Sequence, residues 1–321
     1  MLRPFLWMFA VLILLQNVVY AEALKVEATA NEWLHQMVQA VQQLPYQGRS
    51  IFVNGTQLTS FEVHHAQIEG ETWERIRHLS GEPSEVLRRG DRISCLHPEG
   101  SVDFSLTGLP GALGGGFKQT NFALPEYYML AKGGSERVAG RATRTLDVMP
   151  KDRMRYGYRL WLDQETAMLL KSVTVDHKGK ALEVFEFIDI NMGEPLTKSA
   201  FEPGDGLVWL DQRAERGDKT PSDLSWNVSW LPKGFAMAKS GLRRIGAGAV
   251  SSKVFSDGLA AFTVFLEPLA EAQVDEGTQL QGATVAVSRK GTSGDQEFLV
   301  TFVGEVPMET ALQVMASVKL D

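Results

Sequence analysis

Residues 156–190 limit the fold more than any other stretch, because they read as three antiparallel strands joined by two tight turns. Aromatic and β-branched residues fill 156–162, 167–176 and 181–190, while Asp163, Lys178, Gly179 and Lys180 sit at the reversals, as strand propensity and turn chemistry require. Alternation sets Leu169, Val173 and Val175 on one face of the middle strand and Met168 and Leu170 on the other. In the third strand, Val184 and Ile188 oppose Phe185 and Phe187. Neither face is left polar, so part of the second must be covered by helices, another domain or an apolar ligand.

The chain has 321 residues, 44% hydrophobic and 22% charged, which leaves room for one large or two smaller domains. Its first segment reads as a signal peptide over residues 1–21. Arg3 precedes an apolar run over 5–19 that is too short for a typical membrane span, and Ala21 and Ala23 close small-residue cleavage patterns. A single cysteine, Cys95, rules out an internal disulfide. A net charge of −7 does not favour nucleic acid as a partner.

Thr29 and Glu32 have the spacing of a capping box, and Trp33, Leu34, Met37, Val38, Val41 and Leu44 recur at helical intervals until Pro45. The apolar stripe of this helix needs a sheet to lie on. Strand signals follow at 47–53, 56–68, 72–79, 85–89 and 92–97, with Asn54-Gly55 as a strong hairpin signal. Together with 156–190 they make a long meander, and a sheet of so many twisted strands curls. A curved sheet with a helix in its concavity is the simplest architecture. Residues 107–120, with five glycines, read as a flap, and 123–130 as a second short helix.

Residues 213–223 contain no apolar residue except Ala214 and read as a linker. Beyond it, strands at 226–231, 235–242, 250–256, 259–267, 283–289 and 297–306 precede a helix opened by Pro307 and carrying Ala311, Leu312, Val314, Met315 and Val318. These form a second domain. The expected organisation is a large domain over 22–212, the linker over 213–223, and a smaller α+β domain over 224–321.

No zincin motif, nucleophile elbow or paired-cysteine metal site occurs, so neither an enzyme nor a metal or cofactor is expected. His64 and His65 are adjacent on a strand and point to opposite faces. Trp73, Arg75 and Arg77 share a face, which suits either a paired, solvated sheet surface or a rim for phosphate and sugar-acid groups.

Several strings together resemble the RseB/MucB family of periplasmic regulators of envelope-stress sigma factors. They are Tyr156-Gly-Tyr-Arg-Leu-Trp-Leu-Asp163, Leu182-Glu-Val-Phe185, Glu85-Val-Leu-Arg-Arg-Gly90 with Ile93-Ser94 and Pro98, and Trp226 with Trp230-Leu-Pro-Lys-Gly-Phe235. Phe255-Ser-Asp-Gly-Leu259 and Val303-Gly-Glu-Val-Pro307 with Thr310-Ala311 complete the set. The resemblance implies a mainly β (α+β) chain. Its N-terminal domain would be a LolA/LolB-like half-open antiparallel β-barrel with helices in the concave side, followed by a smaller C-terminal α+β domain. It further implies a periplasmic regulator that binds the periplasmic part of a transmembrane anti-sigma factor and protects it from regulated proteolysis. Lipid, lipopolysaccharide or lipoprotein ligands would release it. A lipoprotein carrier of the LolA/LolB type is the alternative, and homo-oligomerisation is left open.

Within that reading, Phe61, Trp73, Arg75, Arg77, Trp161, Leu170, Phe185 and Phe187 are the expected lipid-binding residues. Trp226, Trp230, Phe235, Phe255 and Leu259 are the expected partner contacts. For each, packing in the protein's own core is the competing role.

Overall fold

A computed structural model describes residues 28–90, 92–98, 124–209, 226–245, 248–269 and 276–320. The signal peptide, the glycine-rich segment and the linker expected from sequence lie outside the described residues.

Helix α1 (Ala30–Gln43) begins as its capping box dictates: Glu32 N donates to Thr29 Oγ1 at 3.2 Å, and Thr29 N to Glu32 Oε2 at 2.6 Å. The strands that follow are β1 (Tyr46–Asn54), β2 (Gln57–Ile68), β3 (Glu71–His78), β4 (Glu85–Arg89) and β5 (Arg92–Pro98). After the single turn α2 (Leu124–Tyr127) come β6 (Tyr128–Val138), β7 (Arg141–Pro150), β8 (Gly157–Asp163), β9 (Leu169–Val175), β10 (Ala181–Met192) and β11 (Leu207–Trp209). The expected helix over 123–130 is therefore cut short. Tyr128 pairs with Pro150 as the first residue of β6, because its buried ring and hydroxyl are held as strand side chains.

Eleven strands form one antiparallel sheet in the order β11-β5-β4-β3-β2-β1-β10-β9-β8-β7-β6. The terminal strands β11 and β6 do not pair with each other, so the sheet is open. Two runs of hairpins are thus joined at one seam, β1 against β10. At Gly48 the strands approach so closely that a Cβ would lie 2.4 Å from the Asp189 carbonyl oxygen, and a bulge at Arg49/Ser50 bends the seam.

Strict alternation fails in β9. Leu162 pairs with Leu169 but Trp161 pairs with Lys171, so a bulge intervenes. Leu169 therefore sides with Leu162 and Leu160 under the helix, whereas Val173 and Val175 lie on the opposite face. Grouping Leu169 with Val173 and Val175 is corrected accordingly. α1 covers the inner face with Leu34, Met37 and Val38, packed with Leu146, Val148, Leu160 and Leu162.

The second unit comprises β12 (Trp226–Val228), β13 (Ala236–Ile245), β14 (Gly248–Ser256), β15 (Ala261–Pro268), β16 (Gly277–Gln281), β17 (Thr284–Ser293), β18 (Gln296–Gly304), α3 (Met308–Ala316) and β19 (Val318–Leu320). Six strands form a sheet in the order β13-β14-β15-β18-β17-β16, and β12 pairs with β19. Phe255, Phe262 and Phe302 stack through its core, with ring centroids 5.3 and 4.9 Å apart. α3 closes that core with Ala311, Val314 and Met315. Two residues of its expected stripe depart from it: Leu312 is exposed, and Val318 belongs to a strand.

Candidate functional site

The residues expected to line an apolar hollow divide between the two faces of the large sheet. Phe61, Leu170, Phe185 and Phe187, each at most 2% exposed, belong to one buried cluster with Tyr46, Phe52 and Val63. Register puts Phe185 opposite Phe52, and Phe187 and Phe61 both opposite Ser50, so the four phenylalanines share the inner face. Phe185 and Phe187 meet edge to face at 5.1 Å. In this conformation the protein's own side chains fill the space between them.

Trp161, 7% exposed and a member of the same buried cluster, pairs with Lys171, and register sets it with Arg159 and Val173 on the opposite face. Its Nε1 donates to Glu136 Oε2 at 2.9 Å, and Lys171 Nζ lies 5.0 Å from the ring centroid. With Met149, Pro150 and Val175 it lines a groove of about 390 Å³ on that face.

Trp73, Arg75 and Arg77 also share the outer face. Trp73 packs on Phe201 with Arg89 stacked over it. Each arginine already has a partner. Arg75 donates two hydrogen bonds to Glu85, at 2.9 and 2.7 Å, and that carboxylate, 2% exposed, also accepts from Gly204 N. Arg77 pairs with Glu62 and Arg88 with Glu74. His65, on the inner face, is held by Glu74 Oε1 at 3.2 Å and the Gln42 carbonyl at 3.1 Å. Among the described residues no group of three His, Cys, Asp or Glu could hold a metal ion.

Trp226, Phe235 and Phe255 are core residues of the smaller unit, and Trp230 packs against them half-buried. Leu259 is different. It is 6% exposed, and its neighbours are Leu34, Met37, Val38 and Tyr128 of the large unit. The β14–β15 turn therefore enters the space beneath α1 and completes that core.

Asp257 locks the turn in place. Its Oδ1 accepts from Leu259 N and Ala260 N at 3.0 and 2.8 Å, fixing the loop. Its Oδ2 accepts from the Tyr128 hydroxyl at 2.9 Å and pairs with Arg155 Nη1. Arg155 is fully buried, also binds Asp152 and the Lys233 carbonyl, and lies within 5.5 Å of the Tyr127, Tyr128 and Phe235 ring centroids. Burial opposes its charge, but Asp257, Tyr128 and Asp152 outweigh that and hold its pKa up. Burial and the adjacent Asp257 push Tyr128 well above its usual value, so it donates as a neutral phenol.

From sequence, Asp257 falls between two expected strands, at 250–256 and 259–267, and nothing in the pattern singles out Arg155 or Tyr128. The signal was the setting of Asp257, a carboxylate between Phe255 and Leu259 in a turn flanked by apolar residues. Its partner is 102 residues distant, beyond the reach of local pattern.

Comparison with known proteins fits this two-unit arrangement. Two family descriptions match in order: "MucB/RseB N-terminal domain" over residues 29–205 and "MucB/RseB C-terminal domain" over 220–319. The chain belongs to the MucB/RseB family. It is 33% identical over 295 residues to the sigma factor AlgU regulatory protein MucB of Pseudomonas aeruginosa, covering 91% of each chain. To the sigma-E factor regulatory protein RseB of Escherichia coli it is 26% identical, with 98% of each covered. The structure of the Pseudomonas aeruginosa MucA/MucB complex contains a chain that superposes with a TM-score of 0.71 at 32% identity, over 92% of this chain and 99% of that one. Family members bearing these names are regulators of sigma factors.

Proposed function

We propose that this chain is a periplasmic regulator that binds the periplasmic part of a membrane-bound anti-sigma factor, shields it from regulated proteolysis, and lets go when a lipid-bearing ligand binds. One observation carries the reading: a relative matched over nine-tenths of this chain was solved as "MucB in complex with MucA(peri)", at 31% identity and a TM-score of 0.70. Among the described residues no helix is long and apolar enough to cross a membrane.

The ligand half of the proposal rests on the inner-face cluster of Phe61, Leu170, Phe185 and Phe187, and on the groove beside Trp161. An acyl chain gains about 0.8 kcal/mol per methylene it buries. In the inner cluster much of that gain would be offset, because those phenylalanines already bury one another. Lipid entry there is therefore coupled to repacking of the sheet's inner face, and through α1 and Leu259 to the junction of the two units. A coupling of about 1–3 kcal/mol would lower partner affinity roughly 5- to 150-fold.

The test uses the purified chain and a soluble periplasmic segment of its anti-sigma partner, with affinity measured by calorimetry at rising lipid concentration. A stable complex that weakens as lipid saturates is the expected result. Absence of a complex, or an affinity indifferent to lipid, refutes the proposal. Transfer of bound lipid to acceptor vesicles with no protein complex would indicate a carrier instead.

A further inference from the structure

The two units meet at a second place, where the chemistry is opposite to that of the Arg155–Asp257 clasp. The β16–β17 turn lies against the Asn54-Gly55 turn and the start of β10. Gln281 Nε2 donates to Gln57 Oε1 at 2.6 Å, and a Cβ at Gly282 would strike both Asn54 Oδ1 and the Leu182 carbonyl. With φ +57 and no side chain, Gly282 permits the backbones to close on each other. Under this contact Glu183 is 5% exposed, accepting from Ala283 N at 3.2 Å and Thr284 Oγ1 at 3.4 Å. Glu305, just past β18 in the smaller unit and half-buried, adds a second negative charge to the surroundings of Glu183.

We infer that Glu183, with the charge of Glu305 acting on it, makes a proton-sensitive contact between the two units, so that closing the junction takes up protons and raising the pH loosens it.

Among the described residues, no cation acts on Glu183 or Glu305. Tyr156, just before β8, and Tyr158 of β8 lie nearby, the latter with a buried hydroxyl that has no hydrogen-bond partner. Asp257 and Arg155 also act on Tyr158, but Arg155 is committed to Asp152 and Asp257. Glu309 of α3 and Asp176 add only negative charge, acting on Tyr156. Burial, with Glu305 opposite, pushes Glu183 up to about 8 against two opposing hydrogen bonds, and burial pushes Glu305 up to about 7. With the units apart, the Glu183 carboxyl meets water, loses the nearby charge of Glu305 and returns toward the ordinary value of 4.5.

The closed form thus binds more protons than the open form. Its stability is fully present below the ordinary carboxylate value and is lost as pH rises through the raised value. Over that window each proton taken up makes the closing constant fall by up to about tenfold per pH unit. The device requires no ligand and holds whether or not the regulatory reading does.

The experiment is hydrogen exchange of the full chain from about pH 5 to about pH 9, corrected for intrinsic exchange, with small-angle scattering on the same samples. Segments 181–192 and 277–284 should lose protection together as pH rises, with an increase in radius of gyration. The double variant Glu183→Gln/Glu305→Gln should hold its protection across the range, and Glu305→Gln alone should show a shallower loss. Wild-type protection that does not change with pH overturns the inference, and so does a double variant that follows the wild-type profile. Should the double variant fail to fold, the wild-type and single-variant profiles decide the matter on their own.

Discussion

Arg155 and Asp257 are both withdrawn from solvent and face each other across the junction, one from the large sheet unit and one from the small. Each offsets part of the other's desolvation penalty, and the Tyr128 hydroxyl and two backbone amides fill the remaining acceptor sites of the carboxylate. Such a pair adds little over an apolar replacement of the same shape, yet is costly to break on one side.

Arg155→Met should therefore destabilise the chain by about 3–5 kcal/mol, and Asp257→Asn should be comparably damaging. The double variant should cost clearly less than the sum of the singles. Urea unfolding of all four chains measures the coupling, and additive values would mean that the two charges do not depend on each other.

Leu259→Ala should cost about 2–5 kcal/mol through the cavity it leaves. The cavity opens under α1, not in the smaller unit to which Leu259 belongs by sequence. Amide exchange should accordingly rise in 34–41 before it rises in 298–304. The reverse order would place Leu259 in the wrong core.

Asp163 gives an acid-side prediction. It is 1% exposed, and burial alone would raise its pKa. Hydrogen bonds from Arg141, at 2.7 and 3.1 Å, and from the Thr166 amide and hydroxyl hold it below the ordinary 3.8 instead. Its stabilising contribution is complete above that ordinary value and is lost as pH falls through the depressed one. Asp163→Asn should be less stable at neutral pH and show a shallower acid limb below pH 3.8 in thermal melts. An acid limb as steep as that of the wild type would assign the acid sensitivity to other carboxylates.

The two apolar regions can be separated by substitution. If lipid enters the inner cluster, Phe185→Leu should shift the lipid concentration needed to release the partner several-fold, while Trp161→Phe leaves it near wild type. If the outer groove is the site, the two variants exchange behaviour. Fluorescence titration of the labelled partner segment reads the difference directly.

Much of the architecture was legible because it rests on local chemistry. The Thr29–Glu32 capping box, the Asn54-Gly55 turn and the runs at 156–162 and 181–190, close to the observed β8 and β10, each carry their own instructions. β6 and β7 escaped because Gly133 and Gly134 interrupt the first with a bulge, so no alternation survives to be read. The β9 bulge hid the true face of Leu169 in the same way. Trp73, Arg75 and Arg77 do share a face, as alternation requires; the ion pairs of Arg75 and Arg77 with Glu85 and Glu62 lie on neighbouring hairpin strands, but the packing of Trp73 on Phe201 depends on a segment far away in sequence. Arg155 was invisible for the same reason.

The seam between β1 and β10 bears on how the chain assembles. β1 lies at the middle of the sheet, yet its partner on one side arrives some 140 positions later, as the Arg49–Asp189 contact records. A nascent chain delivered from its N-terminus therefore carries an unzipped central strand until 181–192 has emerged. Pairings of such wide separation form slowly, and an uncovered strand edge is an invitation to wrong neighbours. A holding chaperone would be needed most in that interval, and slowing β10's arrival should raise aggregation more than any change confined to the smaller unit.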